Sequence, residues 1–278
     1  MRGPIRRAAV AGSWYPGDGA RLAGELDSYL AAVAPVDLPG RLLGLISPHA
    51  GLVYSGPVAA HGYALLKKHR VATAVLVGPS HHAAFSGVSL FASGAFETPL
   101  GEVPVDGPLA DRIAAESPII RDAPRPHLAE HSLEMQLPFL RHLAPGLQIV
   151  PMLIGTQTRE TVEALAGALA RALPGQDVLL VASSDLSHFN PAPVANQLDG
   201  LVVQDIERFE PDRLMARLES SPEHACGGGA IVAVMKACQA LGADRAKVLR
   251  YGDSGDVGER DKSRVVGYLS AALSVSAA

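Results

Sequence analysis

Three apolar runs in this sequence end in a turn that carries histidine. Leu42, Leu43, Leu45 and Ile46 lead into Ser47-Pro48-His49-Ala50-Gly51. Val71, Ala74, Val75, Leu76 and Val77 lead into Gly78-Pro79-Ser80-His81-His82. Val178, Leu179, Leu180 and Val181 lead into Ser183-Ser184-Asp185-Leu186-Ser187-His188. One histidine at such a place is ordinarily a structural hydrogen-bond donor. Three at the same relative place point to a shared polar site. Imidazole nitrogen binds Fe, Cu, Zn or Ni, so His49 and His81, aimed from neighbouring strand ends, could hold a metal ion. A third ligand is then needed, and Cys226 is the best candidate. It precedes Gly227-Gly228-Gly229 at a helix start, where N–H groups and the helix dipole favour thiolate. Asp185 and His188 are further ligands or groups that orient the ligands.

The same residues admit other chemistry. Cys226 beside a histidine is also a workable nucleophile, with the following glycines as an oxyanion site. As an inert small residue it would merely fill core, which is the reading for Cys238. His127-Leu128-Ala129-Glu130-His131 matches the inverted zinc-peptidase signature, with both histidines on one helix face. Pro126 and Pro138 weaken that match by crowding the helix it needs. Gly227-Gly228-Gly229 lacks the Gly-Lys-Ser/Thr ending of a phosphate loop and the spacing of a dinucleotide fingerprint, so no nucleotide is expected. Trp14, the only tryptophan, reads as a core anchor under a turn rather than an aromatic wall.

The elements that must position these groups alternate between strand and helix. Short apolar runs bounded by Gly and Pro read as strands buried on both faces, and ligands of open α/β sheets sit beyond the carboxyl ends of such strands. Strands are expected at 41–46, 71–77, 88–91, 103–105, 148–154, 176–181, 246–251 and 264–274. Asp18 caps a helix with the stripe Leu22, Leu26, Leu30 and Val33, ended by Pro35 and Pro39. Ser55 is expected to cap a helix reaching His69, and a helix is expected to open at His127 and carry Leu137, Phe139 and Leu140. Further helices read at 107–116, 159–173, 196–209 and 212–219, and the stretch His224 to Ala230 opens another that runs through Ala240. The alternation predicts a single domain over 1–278, a three-layer α/β/α sandwich with a largely parallel central sheet. The stretch from Val88 to Val105 adds antiparallel edge strands.

Composition narrows the class. The chain has 278 residues, 48% of them hydrophobic, with 5% aromatics and a net charge of −4. A sizeable core of Ala, Val, Leu and Ile follows. No basic block announces nucleic acid, and no apolar run approaches the roughly 20 residues that span a bilayer. The basic start, Met1 to Arg7, lacks a signal peptide's apolar centre. Two cysteines are too few for a disulfide framework. A cytoplasmic protein is expected.

Together these motifs resemble the Memo family, also called AmmeMemoRadiSam system protein B. The resemblance runs from Ala11-Gly12-Ser13-Trp14-Tyr15-Pro16 to Val265-Val266-Gly267-Tyr268. It includes the His49, His81 and Asp185–His188 turns, Glu130-His131-Ser132-Leu133-Glu134, and Cys226-Gly227. It implies a fold similar to class III extradiol ring-cleaving dioxygenases and a site of His49, His81 and Cys226 holding Fe(II) or Cu, with Zn as the alternative. By the same resemblance Asp185 and His188 line the pocket and Trp14 lies near it; His188 is expected to act as acid/base or supporting donor with Asp185 orienting it, and His82, His131 and Glu134 to support the pocket. Redox or oxygenase-type chemistry is implied, or capture of a small-molecule or peptide ligand in the same pocket; the metal-free Cys226 hydrolase remains the alternative from the residues themselves. Association with radical S-adenosylmethionine and AMMECR-type proteins is implied by the family's prokaryotic name.

Overall fold

The apolar runs before the histidines form the middle of one large sheet. The computed structural model describes residues 3–38, 40–257 and 261–276. In chain order its elements are β1 (Ile5–Arg6), α1 (Gly19–Ala31), β2 (Arg41–Ser47), α2 (Leu52–Tyr63), β3 (Thr73–Pro79), β4 (Val88–Leu90), β5 (Ala95–Phe96) and β6 (Val103–Pro104). There follow α3 (Gly107–Ala115), β7 (Ile120–Asp122), α4 (Leu137–Leu143), β8 (Gln148–Ile154), α5 (Arg159–Ala172), β9 (Val178–Ser183) and β10 (His188–Asn190). The chain closes with α6 (Ala192–Glu207), α7 (Pro211–Ser220), α8 (Gly228–Ala240), β11 (Arg245–Asp253) and β12 (Val265–Val275).

The fold is mixed α/β with a large, mostly parallel sheet. Strand β9 lies between β2 and β3, and β8 follows β3, all parallel. Antiparallel strands flank this centre: β12 pairs with β2, and β4 with β8. The long β12 carries β11 on one edge, and β2 and β10 in succession on the other. Strands β1, β5 and β6 form a separate small sheet.

Burial on both faces explains the continuous apolar runs. Along β3, Val75 and Val77 pack with α3, α5, α7 and α8, while Ala74 and Leu76 pack with α1, α2 and α4. Each fully buried Val or Leu stabilises the fold by about 2 kcal/mol relative to exposure. A charge at Val75 would break the strand, because neither face offers water. Along β2, β3, β8 and β9 polar side chains are therefore confined to the strand ends, where the site forms.

Three local expectations fail for physical reasons. Helix α2 starts at Leu52, before Ser55, whose hydroxyl donates back to the Ala50 carbonyl at 2.8 Å instead of capping. That helix ends at Tyr63, followed by a 3₁₀ turn over Ala64–Lys67. Residues 127–136 are not a regular helix; 3₁₀ turns at Arg125–His127 and Glu134–Gln136 flank an irregular loop, and α4 begins only at Leu137. The Asp18 cap does form, accepting from Arg21 N–H at 2.8 Å. Pro39 lies outside the described residues. No helix among the described residues is long and apolar enough to cross a membrane.

Candidate metal centre

The central strands β2, β9 and β3 end together, and the side chains beyond them converge. His49 follows β2 and is 2% exposed. Its Nδ1 lies 2.9 Å from Ser183 Oγ, at the end of β9. That hydroxyl donates its one proton to the Ser132 carbonyl at 2.6 Å and accepts from Gln136 Nε2 at 2.7 Å. The proton of the His49–Ser183 bond must therefore sit on Nδ1. His49 Nε2 is left as a lone pair, 3.2 Å from Cys226 Sγ.

His81 is set the same way by a different group. Its Nδ1 meets Glu130 Oε1 at 2.9 Å, and its backbone N–H meets Oε2 at 2.5 Å. A carboxylate only accepts, so His81 carries a proton on Nδ1, and Nε2 is the nitrogen left for a ligand. Glu130 accepts further from the N–H groups of His131 and Ser132. Burial pushes its pKa up, but the His81 ring and these N–H groups outweigh burial and hold it well below the carboxylate range.

Cys226 reaches the site from the loop before α8. Its N–H donates to the Asp185 carbonyl, and the following Gly227 N–H donates to Ser184 Oγ at 2.9 Å. Gly227 rests so closely on β9 that a Cβ would meet the Ser183 carbonyl oxygen at 2.3 Å. Gln157 clips the same turn, donating to the Cys226 carbonyl and accepting from Gly229 N–H, each at 2.7 Å. One ligand atom from each of His49, His81 and Cys226 then lies within 4.8 Å of the others. A tetrahedral ion with bonds of about 2.0 and 2.3 Å holds its N and S ligands roughly 3.5 Å apart. The 3.2 Å Sγ–Nε2 separation suits that span.

Electrostatics keep His49 and Cys226 neutral. Burial, then the neighbouring rings of His81 and His131, lower the His49 pKa well below its ordinary value. Burial likewise lowers that of His131 to about 4. Burial and the Asp185 charge raise the Cys226 thiol, so the expected helix-start thiolate is outweighed by desolvation. A bound cation reverses this, because coordination deprotonates a thiol outright.

A family model described as "Memo-like protein" matches residues 6–272. The chain belongs to the Memo family. A MEMO1 family protein of Methanothermobacter thermautotrophicus is 38% identical over 273 residues, covering 95% of this chain and 98% of the relative. Another from Sulfolobus acidocaldarius is 38% identical over 280 residues, with 96% and 98% covered. One from Methanocaldococcus jannaschii is 37% identical over 283 residues, again with 96% and 98% covered.

The remaining sequence candidates of this Memo-family chain fall at different distances from the centre. His131 stacks on His81 with ring centroids 4.5 Å apart, and His82 stands edge-on to His131 at 5.8 Å. Trp14 is no core anchor: it is 37% exposed and lies 4.4 Å from the His131 ring, while neighbouring Tyr15, 4% exposed, takes the buried place. Asp185 does not bond His188. Its Oδ1 accepts from the N–H groups of His49 and Ala50 at 2.7 and 3.3 Å, and burial raises its pKa to about 6. His188 Nδ1 donates to the Leu186 carbonyl, again leaving Nε2 bare. Glu134 faces the N-terminal segment, accepting from Arg6, from Ala9 and Val10 N–H, and from Tyr15 hydroxyl.

The zinc-peptidase pairing is excluded by geometry. His127 is turned into the core against Phe91 and Phe96, donating Nε2–H to the Ser89 carbonyl. A different set, His81, Glu130 and His131, also has ligand atoms within 4.8 Å, but Glu130 is committed to four donors. Sequence reasoning missed Ser183 and Gln136 as ring-setters and Gln157 as a clip. Ser183 stood within the strand-end motif; nothing local marked the two glutamines.

Proposed function

We propose that the protein binds one iron or copper ion through His49 Nε2, His81 Nε2 and Cys226 Sγ, and uses it in redox or oxygenase-type chemistry. The observation that carries this reading is the pair of fixed tautomers. Ser183 and Glu130 each hold a histidine by Nδ1 and leave Nε2 for a ligand, and one ligand atom from each of His49, His81 and Cys226 lies within 4.8 Å of the others. Hydrogen-bonded outer partners of this kind orient metal ligands and raise their basicity. Three protein ligands leave positions for substrate and for O₂, and a thiolate makes copper and zinc competitive with iron. When bound, such an ion supplies Lewis acidity and an electron-transfer step. His188, with Nε2 bare and Nδ1 fixed, can take or return a proton beside it. Asp185 holds the His49–Ala50 backbone in place. In this reading the fold is the three-layer α/β/α arrangement of class III extradiol dioxygenases, and the protein works in the cytoplasm beside radical S-adenosylmethionine and AMMECR-type partners.

Two other readings have observations behind them. A cleft of about 720 Å³ shares Trp14 and Ala50 with the site, a size that suits capture of a small molecule or peptide segment without turnover. Cys226 Sγ facing a lone pair of His49 also suits a metal-free hydrolase. Burial that favours the thiol, and a second imidazole aimed at the same point, fit a metal better than a nucleophile.

Elemental analysis of protein purified anaerobically separates these. Close to one Fe or Cu per chain is expected in wild type, lost in His49→Ala, His81→Ala and Cys226→Ser. Absence of metal, or metal kept by all three variants, defeats the assignment and moves the function to ligand capture or Cys226 chemistry.

A further inference from the structure

The 720 Å³ cleft beside the centre has a wall that folding alone does not explain. Phe189 is 61% exposed, although it is a large apolar residue. Its backbone sits at φ 60°, in the left-handed region where side chains other than Gly, Asn and Asp are strained. The register of β10 on β12 shifts between His188 and Asn190, so Phe189 is the extra residue of a bulge. Bulges beside sites re-aim a side chain. Here the chain accepts strain and exposure together to point a phenyl ring into the cleft, next to the His188 ring at 5.6 Å.

The cleft carries a charge of each sign, Arg264 and Asp261, and it is the cation that meets the ring. The Arg264 guanidinium lies over the Phe189 face, 5.3 Å from its centroid. Lys262 is paired with Asp256 at 2.8 Å, and Asp261 accepts from the Ser263 N–H and hydroxyl. Trp14, 37% exposed, lines the same cleft near the metal centre, where Ala50 and Gly51 follow His49 directly. Ser13, Ser254 and Tyr268 also line the cleft.

We propose that the cleft takes a small organic anion, its carboxylate on Arg264, its flat or apolar body on Phe189, and its far end toward His49, His81 and Cys226. The fate of that ligand rests on the metal-centre reading above; its binding does not. The class is a carboxylic acid with an aromatic or similarly flat body, because a guanidinium stacked on a ring offers in-plane donors to a carboxylate and a face to a planar group.

Trp14 is the only tryptophan, so its fluorescence reports directly on occupancy. The probes are 3-phenylpropionate, its neutral counterpart 3-phenylpropanol, and inorganic phosphate, each titrated into metal-stripped and metal-loaded full-length protein. The acid is expected to bind saturably in both forms, roughly tenfold or more tighter than the alcohol, as a charge-assisted hydrogen bond implies. Arg264→Gln should erase that preference and Arg264→Lys retain part of it. Phe189→Gly should weaken both organic probes at least severalfold while melting no lower than wild type, because glycine relieves the left-handed backbone. Equal binding of acid and alcohol, no binding of either, or a preference that survives Arg264→Gln would overturn the proposal. Phosphate binding as well as the acid would assign Arg264 to anions without regard to the body, and would overturn the part given to Phe189. Metal content measured on the same samples keeps a failure of the metal centre distinct from a failure of the cleft.

Discussion

Replacing Glu130 by Gln keeps the side chain's shape and removes its charge. The carboxylate accepts four hydrogen bonds: Oε1 from the His81 ring at 2.9 Å, His131 N–H at 2.9 Å and Ser132 N–H at 2.8 Å, and Oε2 from His81 N–H. An amide has only one oxygen. If that oxygen takes the Oε1 place, three bonds survive and the amide NH₂ meets the His81 N–H, donor against donor. One charge-assisted bond is lost, a cost of about 1.5–3 kcal/mol in stability. The His81 ring keeps an acceptor, but a neutral one, so its Nε2 is a weaker base. Losing such an outer partner lowers metal affinity about 10- to 100-fold, or about 1.4–2.7 kcal/mol of binding free energy. Competition against a chromophoric chelator measures the affinity, and thermal melts of the metal-free form measure the stability. A variant that melts lower yet binds Fe(II), Cu and Zn as tightly as wild type would refute the reasoning, reducing Glu130 to a brace for its loop.

Other perturbations test neighbouring parts. Gly227→Ala sets a Cβ against the Ser183 carbonyl at 2.3 Å, so the Cys226 turn must move; metal analysis should show loss of the ion, with a melting temperature several degrees lower. Ser183→Ala removes the acceptor of His49 Nδ1–H and of Gln136, and chelator competition should show metal affinity about tenfold or more weaker. Gln157→Ala frees the Cys226 carbonyl and Gly229 N–H, and should cost about 1–3 kcal/mol in denaturant unfolding. Burial lowers the His127 pKa to about 4. The unfolded chain binds that proton below about pH 6.5 while the folded chain refuses it down to about 4, so stability falls as pH is lowered through this window, by about 1.4 kcal/mol per unit from this group. Urea melts at several pH values should show His127→Gln losing that slope relative to wild type.

What the sequence disclosed follows from which forces are local. Strands β2, β3 and β9 were legible because burial on both faces forces unbroken apolar runs, and the polar residues ending them could lie only at the sheet's edge. The convergence of His49 and His81 follows from β9 lying between their strands. The loop at 127–136 misled because its apolar spacing mimics a helix. There the Glu130 side chain satisfies the backbone N–H groups of His131 and Ser132, which removes the need for helical bonds. Trp14 and Tyr15 are adjacent aromatics, and composition cannot say which turns inward; the hydroxyl of Tyr15 decides it by reaching the buried Glu134 at 2.6 Å. Asp185 was legible as a strand-end residue but not by partner, because the groups it serves, the His49 and Ala50 amides, are alike at every position. The cleft wall at Phe189 was invisible, since a bulge depends on how β10 meets β12.

The order in which the chain is made bears on when its centre can exist. His49 and Cys226 are 177 residues apart, and at a synthesis rate of about 5–20 residues per second that gap lasts roughly 9–35 s. During that interval His49 and, later, His81 leave the ribosome without the sulfur, and His49 also waits for Ser183 to fix its ring. Strands β2 and β3 cannot complete their sheet until β9 arrives between them. The nascent chain therefore offers a cell's loosely held metal ions only scattered imidazoles for most of its synthesis. The three-residue set is complete only once Cys226 is made, after β2, β3, β8 and β9 but before β11 and β12, so an ion held by all three would be a late arrival.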